Sequence, residues 1–187
     1  TVTITDGNGC TSSMNAMVNA NPLPAATITS SNNVSCYGAN NGSATVVASS
    51  GAAPYYYQWS PSGGTNASAS QLTAGSYSVR VTDSNGCSVN SSVTISQPAD
   101  LAITPSVTMG TCASSNGSVS VAIAGGTSPY NYSWSNGVSG TNSIGGLSAG
   151  VYRVVINDAN GCTLSSSINV PNSGGMSATV SAIAMPN

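Results

Sequence analysis

Three five-residue stretches carry most of the reactive side chains of this chain: Asp6-Gly7-Asn8-Gly9-Cys10, Asp83-Ser84-Asn85-Gly86-Cys87 and Asp158-Ala159-Asn160-Gly161-Cys162. Each puts a carboxylate, a carboxamide and a thiol within one turn of backbone. Two chemistries suit that set: an oxygen cage for calcium, or a thiol used for crosslinking. Calcium takes six to eight oxygens, and one carboxylate per stretch is too few for a cage. The simpler reading is a hairpin turn. Gly supplies positive φ, Asn tolerates left-handed geometry, and the Asp carboxylate accepts from turn amides. On this reading Asp83, Asn85 and Gly86, and again Asp158, Asn160 and Gly161, are turn residues. No metal site is expected; the weaker alternative is a shared one, with Asp100 and Asp158 brought together at one domain junction.

The rest of the inventory argues against catalysis. Of 187 residues only 3% are charged, and His, Lys and Glu are absent. Ordinary soluble domains carry about 25% charged residues. The cations are Arg80 and Arg153, and the anions are Asp6, Asp83, Asp100 and Asp158. General bases and the groups that orient them are therefore missing. No catalytic residue and no cofactor is expected. A formal net charge of -2 provides no field for nucleic acid. No apolar run approaches the ~20 residues that span a bilayer, so membrane insertion is not expected either.

The turns recur because the chain repeats. At a spacing of 75, Trp59 matches Trp134, Leu72 matches Leu147, Gly75 matches Gly150 and Tyr77 matches Tyr152. Cys36 matches Cys112 one residue out of step. Such periodicity is the signature of a tandem array. Residues 1–24 read as the C-terminal part of a preceding repeat. Residues 25–99 and 100–175 are full repeats, and 176–187 is the first strand of a following one.

Within a repeat the apolar period is 2, which predicts strands. Val79 and Val81 alternate with Ser78, Arg80 and Thr82. Tyr57 and Trp59 share one face, as do Tyr132 and Trp134, and with Tyr77 and Tyr152 they are the expected aromatic core. Tyr56 points the other way and Tyr37 sits in a loop, so these two are candidates for surface contact. Seven or so short strands are expected, with a Trp on the third and a Tyr opening the penultimate one after a Gly corner. That pattern predicts an all-β chain of immunoglobulin-like sandwich repeats of about 75 residues.

Strand order bears on the cysteines. Cys36 and Cys112 lie in the turn between the first two strands, and Cys87 and Cys162 in the last hairpin. Those two turns are at opposite ends of one sandwich. A seven-residue strand spans ~23 Å, whereas a disulfide holds Cα atoms within about 7 Å. The upper end of one repeat abuts the lower end of the next, which favours Cys36 with Cys162. The conventional intradomain pairs, Cys36 with Cys87 and Cys112 with Cys162, are the alternative. Cysteines recurring at fixed places fit an oxidising compartment.

The assembled motifs resemble a known family. Cys36-Tyr37-Gly38 is followed by Asn41-Gly42-Ser43, then by the PYYYQW stretch ending at Trp59 or PYNYSW ending at Trp134. LTAGSY or LSAGVY comes next, then DSNGC or DANGC, then Pro98 or Pro171. This set is similar to the SprB-type repeat of giant cell-surface adhesins in gliding Bacteroidetes, related to PKD-like modules. The resemblance implies an extracellular filament on the bacterial surface, exported by the type IX secretion system, with no catalytic residues. Ala113 departs from the pattern where the first repeat has Tyr37-Gly38.

Three functions follow as expectations: an adhesive filament segment, a glycan-binding accessory region of a secreted enzyme, or a passive stalk. Expected partners are neighbouring repeats of the same chain, with surface polysaccharide or other copies of the chain as further candidates.

Overall fold

The computed structural model describes residues 1–17, 20–111 and 114–173. Cys112 and the expected first strand of a following repeat at 176–187 lie outside the described residues. The first full repeat has six strands: β3 (Ala25–Asn32), β4 (Gly42–Ser49), β5 (Tyr56–Ser60), β6 (Ser68–Leu72), β7 (Gly75–Thr82) and β8 (Ser88–Ile95). They form two antiparallel three-stranded sheets, ordered β3-β4-β6 and β5-β7-β8. The preceding hairpin is β1 (Val2–Thr5) with β2 (Thr11–Met14).

The second repeat repeats this plan. Its strands are β9 (Ala102–Thr108), β10 (Gly110–Thr111), β11 (Gly117–Ala124), β12 (Asn131–Trp134), β13 (Ser143–Leu147), β14 (Gly150–Asn157) and β15 (Thr163–Val170), closed by β16 (Asn172–Ser173). The sheets are β13-β11-β9 and β12-β14-β15, and β10 pairs in parallel with β16. No helix occurs among the described residues, and the chain is a tandem array of all-β, immunoglobulin-like repeats.

The first repeat has six strands rather than seven. The chain between β5 and β6 carries Pro61, Gly63 and Gly64, which stop pairing there. Gly63 lies so close to Trp59 and Ala69 that a Cβ at its position would sit 2.9 Å from both side chains. The loop is pressed onto the core rather than extended along the sheet.

Burial follows the period of two. On β7, Tyr77, Val79 and Val81 are buried while Ser78 and Arg80 are exposed. Trp59 and Trp134 are buried in their respective cores, and each indole N–H donates to a loop carbonyl at 2.9 Å, Asn66 O and Thr141 O. Tyr57, Tyr132 and Tyr152 are half-buried and pack against those cores. The Tyr77 and Tyr152 hydroxyls donate to the carbonyls of Thr73 and Ser148, both at 3.1 Å. That bond ties the start of the penultimate strand to the corner before it, as in a tyrosine corner.

The β1–β2 hairpin shows the same pattern without a core beneath it. Val2 and Ile4 precede the turn as Val79 and Val81 do, yet they are 59% and 70% exposed where the latter are fully buried.

Candidate functional site at the repeat junction

Each repeat has a lower end, where its first strand starts, and an upper end. The β7–β8 turn lies at the lower end, and the β3–β4 loop at the upper end beside the exit of β8. At that upper end Val34 N donates to Ser96 O at 3.1 Å, and Gly38 N to Gln97 Oε1 at 2.9 Å. Asn41 folds the loop on itself. Its Oδ1 accepts from Ser35 N at 3.0 Å, and its Nδ2 donates to Ser35 Oγ at 2.7 Å. Gly42 follows because the strand must pass close to the core: a Cβ there would stand 2.8 Å from both Ile95 and the Leu72 carbonyl. Asn116 and Gly117 do the same in the second repeat, with Asn116 Oδ1 accepting from Thr111 N at 2.8 Å. The recurrent Asn-Gly-Ser therefore shapes the loop that presents Cys36.

The facing lower end is built around Asp158. Its Oδ1 accepts from the amides of Asn160 and Cys162, and its Oδ2 from Thr127, all at 2.9 Å. Asp83 is buried in the same way, accepting from Asn85, Cys87 and Ala52 at 3.0, 2.9 and 3.1 Å. Gly86 and Gly161 take positive φ, at 83° and 81°, and close the hairpins. Asn85 and Asn160 are not left-handed. The turn needs only one residue of positive φ, and Gly supplies it. Burial would raise the Asp158 carboxyl, but the amides of Cys162, Thr127, Asn160 and Gly161 outweigh it and hold the group below its ordinary value.

Both Asp158 carboxylate oxygens are thus engaged by amides of its own domain. Asp100 is exposed on the wall of a cleft at the junction, and no three His, Cys, Asp or Glu cluster as ligands among the described residues.

The two ends meet in a covalent bond. Cys36 and Cys162 are joined, with Cα atoms 5.8 Å apart across 126 positions of sequence. The intradomain alternative, Cys36 with Cys87 and Cys112 with Cys162, is not formed, and Cys87 and Cys10 carry free thiols. The physical reason is the strand order: Cys36 and Cys87 sit at opposite ends of one sandwich. Around the disulfide, Asn160 Nδ2 lies 3.0 Å from both the Ser35 carbonyl of the preceding repeat and Thr127 Oγ1 of its own. Gly126 N donates to Ala99 O at 2.8 Å and so holds the linker. A cleft of about 340 Å³ remains beside it, lined by Tyr37, Pro98, Asp100, Leu101 and Leu164 among others. Tyr37 is exposed there, whereas the exposed Tyr56 lies on β5 and does not line that cleft.

Two segments of the sequence, residues 28–64 and 104–139, match the SprB repeat family. The first runs from within β3 through β5 and the second from within β9 through β12, and each includes the core Trp of its repeat. One matched segment falls in each of the two full repeats. A search of curated proteins finds no match. Among solved structures, the chain is similar to the N-terminal eight Ig domains of Down Syndrome Cell Adhesion Molecule (TM-score 0.40, 11% identity, 82% of this chain and 25% of that one). It is also similar to the amphioxus IgVJ-C2 molecule (0.32, 14%, 64% and 89%) and to domains 1–6 of surface layer protein SbsC (0.31, 15%, 90% and 30%). The chain thus spans a quarter of the first of these and under a third of the last.

Asn160 is the functional residue that sequence reasoning placed only in a turn. Its side chain bridges two repeats, and nothing in the local pattern distinguishes it from Asn85.

Proposed function

We propose that this chain is a load-bearing and adhesive segment of a long extracellular filament on a bacterial surface, a gliding or attachment adhesin. The observation that carries the reading is the Cys36–Cys162 bond, which ties one SprB repeat to the next instead of closing a repeat on itself. A structural disulfide also fits an oxidising compartment outside the cytosol. The near absence of charge makes contacts through hydroxyls, amides and apolar edges the means of attachment. The filament is a non-catalytic module, and its partners are its own repeats together with surface polysaccharide or further copies of itself.

The test is attachment of chain-coated beads to glass and to polysaccharide gel at low and high salt. Adhesion that changes by less than about twofold supports the reading, because few charges are available to be screened. A steep loss with salt opposes it. Beads that do not attach at all, with shorter but functional filaments after repeat deletion in cells, assign the role of passive stalk.

A glycan-binding reading has one observation in its favour, the exposure of Tyr37 and Tyr56 at 55% and 62%. Exposed aromatic faces stack on sugars. A saturable glycan-array signal abolished by Tyr37→Ala or Tyr56→Ala would assign the chain to that class instead.

A further inference from the structure

We infer that the Cys87 turn is the receiving half of a second inter-repeat disulfide, whose partner is the Cys36-type loop of another copy of this repeat placed before it. The inference rests on the tandem-array reading above and is independent of adhesion.

Cys87 occupies in the first repeat the place that Cys162 occupies in the second. The carboxylate anchoring is the same: Asp83 holds the amides of Asn85, Cys87 and Ala52 as Asp158 holds those of Asn160, Cys162 and Thr127. Gly51 lies against Pro24 and Asp83 as Gly126 lies against Leu101 and Asp158. The socket is therefore built to the same plan in both repeats. In the second repeat it is filled by Cys36 of the preceding repeat. In the first, the thiol is free and partly exposed. The β1–β2 hairpin supplies the last two strands of such a preceding copy, with Cys10 in the corresponding turn.

Closing the bond breaks two S–H bonds and forms one S–S bond. The two electrons and two protons pass to an oxidant of the disulfide class, which is reduced to two thiols.

The consequence is mechanical. Linked in this way, an array holds two interleaved covalent paths. One runs from Cys10 through β2, the linker and β3 to Cys36, then crosses into the following repeat at Cys162. It advances two repeats for about 26 residues, or at most ~90 Å of extended chain. Two stacked sandwiches with eight-residue strands span at least ~50 Å before their loops and linkers are counted. Little hidden length is left to pay out under load.

The test inserts a second copy of residues 21–97 directly after Gln97, in a Cys10→Ser, Cys112→Ser background, and folds the chain in glutathione redox buffer. Trypsin then yields four peptides of different mass, because it cuts only after Arg80, the inserted Arg80 and Arg153. The expected links join the first peptide to the third, through the inserted Cys87, and the second to the fourth, through Cys162. A second-to-fourth link with the inserted Cys87 still alkylatable overturns the inference, and it leaves the filament reading standing. If the second-to-fourth link is absent, the insertion has not folded. The unaltered chain then decides, using a peptide of residues 33–41 supplied as an activated mixed disulfide. Capture by Cys87 over Cys10 that is about tenfold better than with a scrambled peptide, ~1.4 kcal/mol of docking, is the expected result. Equal preference overturns it.

Discussion

Replacing Cys36 with Ser removes the bond that ties the two repeats, and the structure sets the size of the effect. Cys36 sits beside Ser96 and Gln97, held there by the Val34 and Gly38 amides. When the second repeat unfolds while the first stays folded, the disulfide closes a loop running from Gln97 to Cys162, about 65 residues. The chain-entropy relation puts the loss at about 4 kcal/mol for such a loop. If both repeats unfold together, the loop spans the full separation of 126 positions, and the same relation gives about 5 kcal/mol. For a domain of this size, with a urea slope of about 1–1.5 kcal/mol/M, the midpoint falls by about 3 M. One buried Trp in each core reports the transition by fluorescence, with the oxidised parent as reference. Cys162→Ser is expected to lower the midpoint equally, and the double variant no further, because each change breaks the same bond. A midpoint within ~0.3 M of the parent, or a double variant lowered by the sum of the two single effects, refutes the reasoning.

Three further outcomes follow from the same geometry. Asp83→Ala strands three amides and is expected to destabilise the first repeat by about 2 kcal/mol, while peptide mapping still finds Cys36 bonded to Cys162. Because the folded state holds the Asp158 proton more weakly than the unfolded chain, its contribution is complete above pH ~4. It is lost as the pH falls through the depressed folded value, and Asp158→Asn abolishes that acid limb in urea midpoints measured across pH. Asn160→Ala removes the Nδ2 contact with the Ser35 carbonyl, so dithiothreitol is expected to reduce the junction disulfide several-fold faster with the second repeat's own urea midpoint, measured after reduction, unchanged within ~0.5 kcal/mol.

Much of the sandwich was legible because its signal is local. Val79 and Val81 alternate with Ser78 and Arg80, and only a strand with one buried face requires that alternation. The corner tyrosines were legible from the Leu-x-Ala-Gly-x-Tyr spacing. The strand count was less so, since whether the stretch after Trp59 pairs or packs depends on how closely Gly63 approaches the indole. The fit of Gly42 against Ile95 and Leu72 was likewise invisible, because those residues are far apart in sequence and meet only on folding.

The junction divides the same way. By itself the sequence determined that the chain is a tandem of all-β repeats, that each last hairpin turns on Asp-x-Asn-Gly, and that a thiol follows every such turn. It did so because strand period and turn chemistry are properties of neighbouring residues. It also narrowed the cysteine pairing to two schemes, through the order of strands alone. Which thiols meet was decided by the tertiary structure, since that depends on the linker bringing one repeat's upper end within 5.8 Å, Cα to Cα, of the next repeat's turn. The tertiary structure also gave identical turns different work. Asn160 faces the Ser35 carbonyl of the repeat before it, whereas Cys87, in a turn of the same chemistry, keeps a free thiol. What a residue does at a junction depends on the surface set opposite it, and no local pattern encodes that surface.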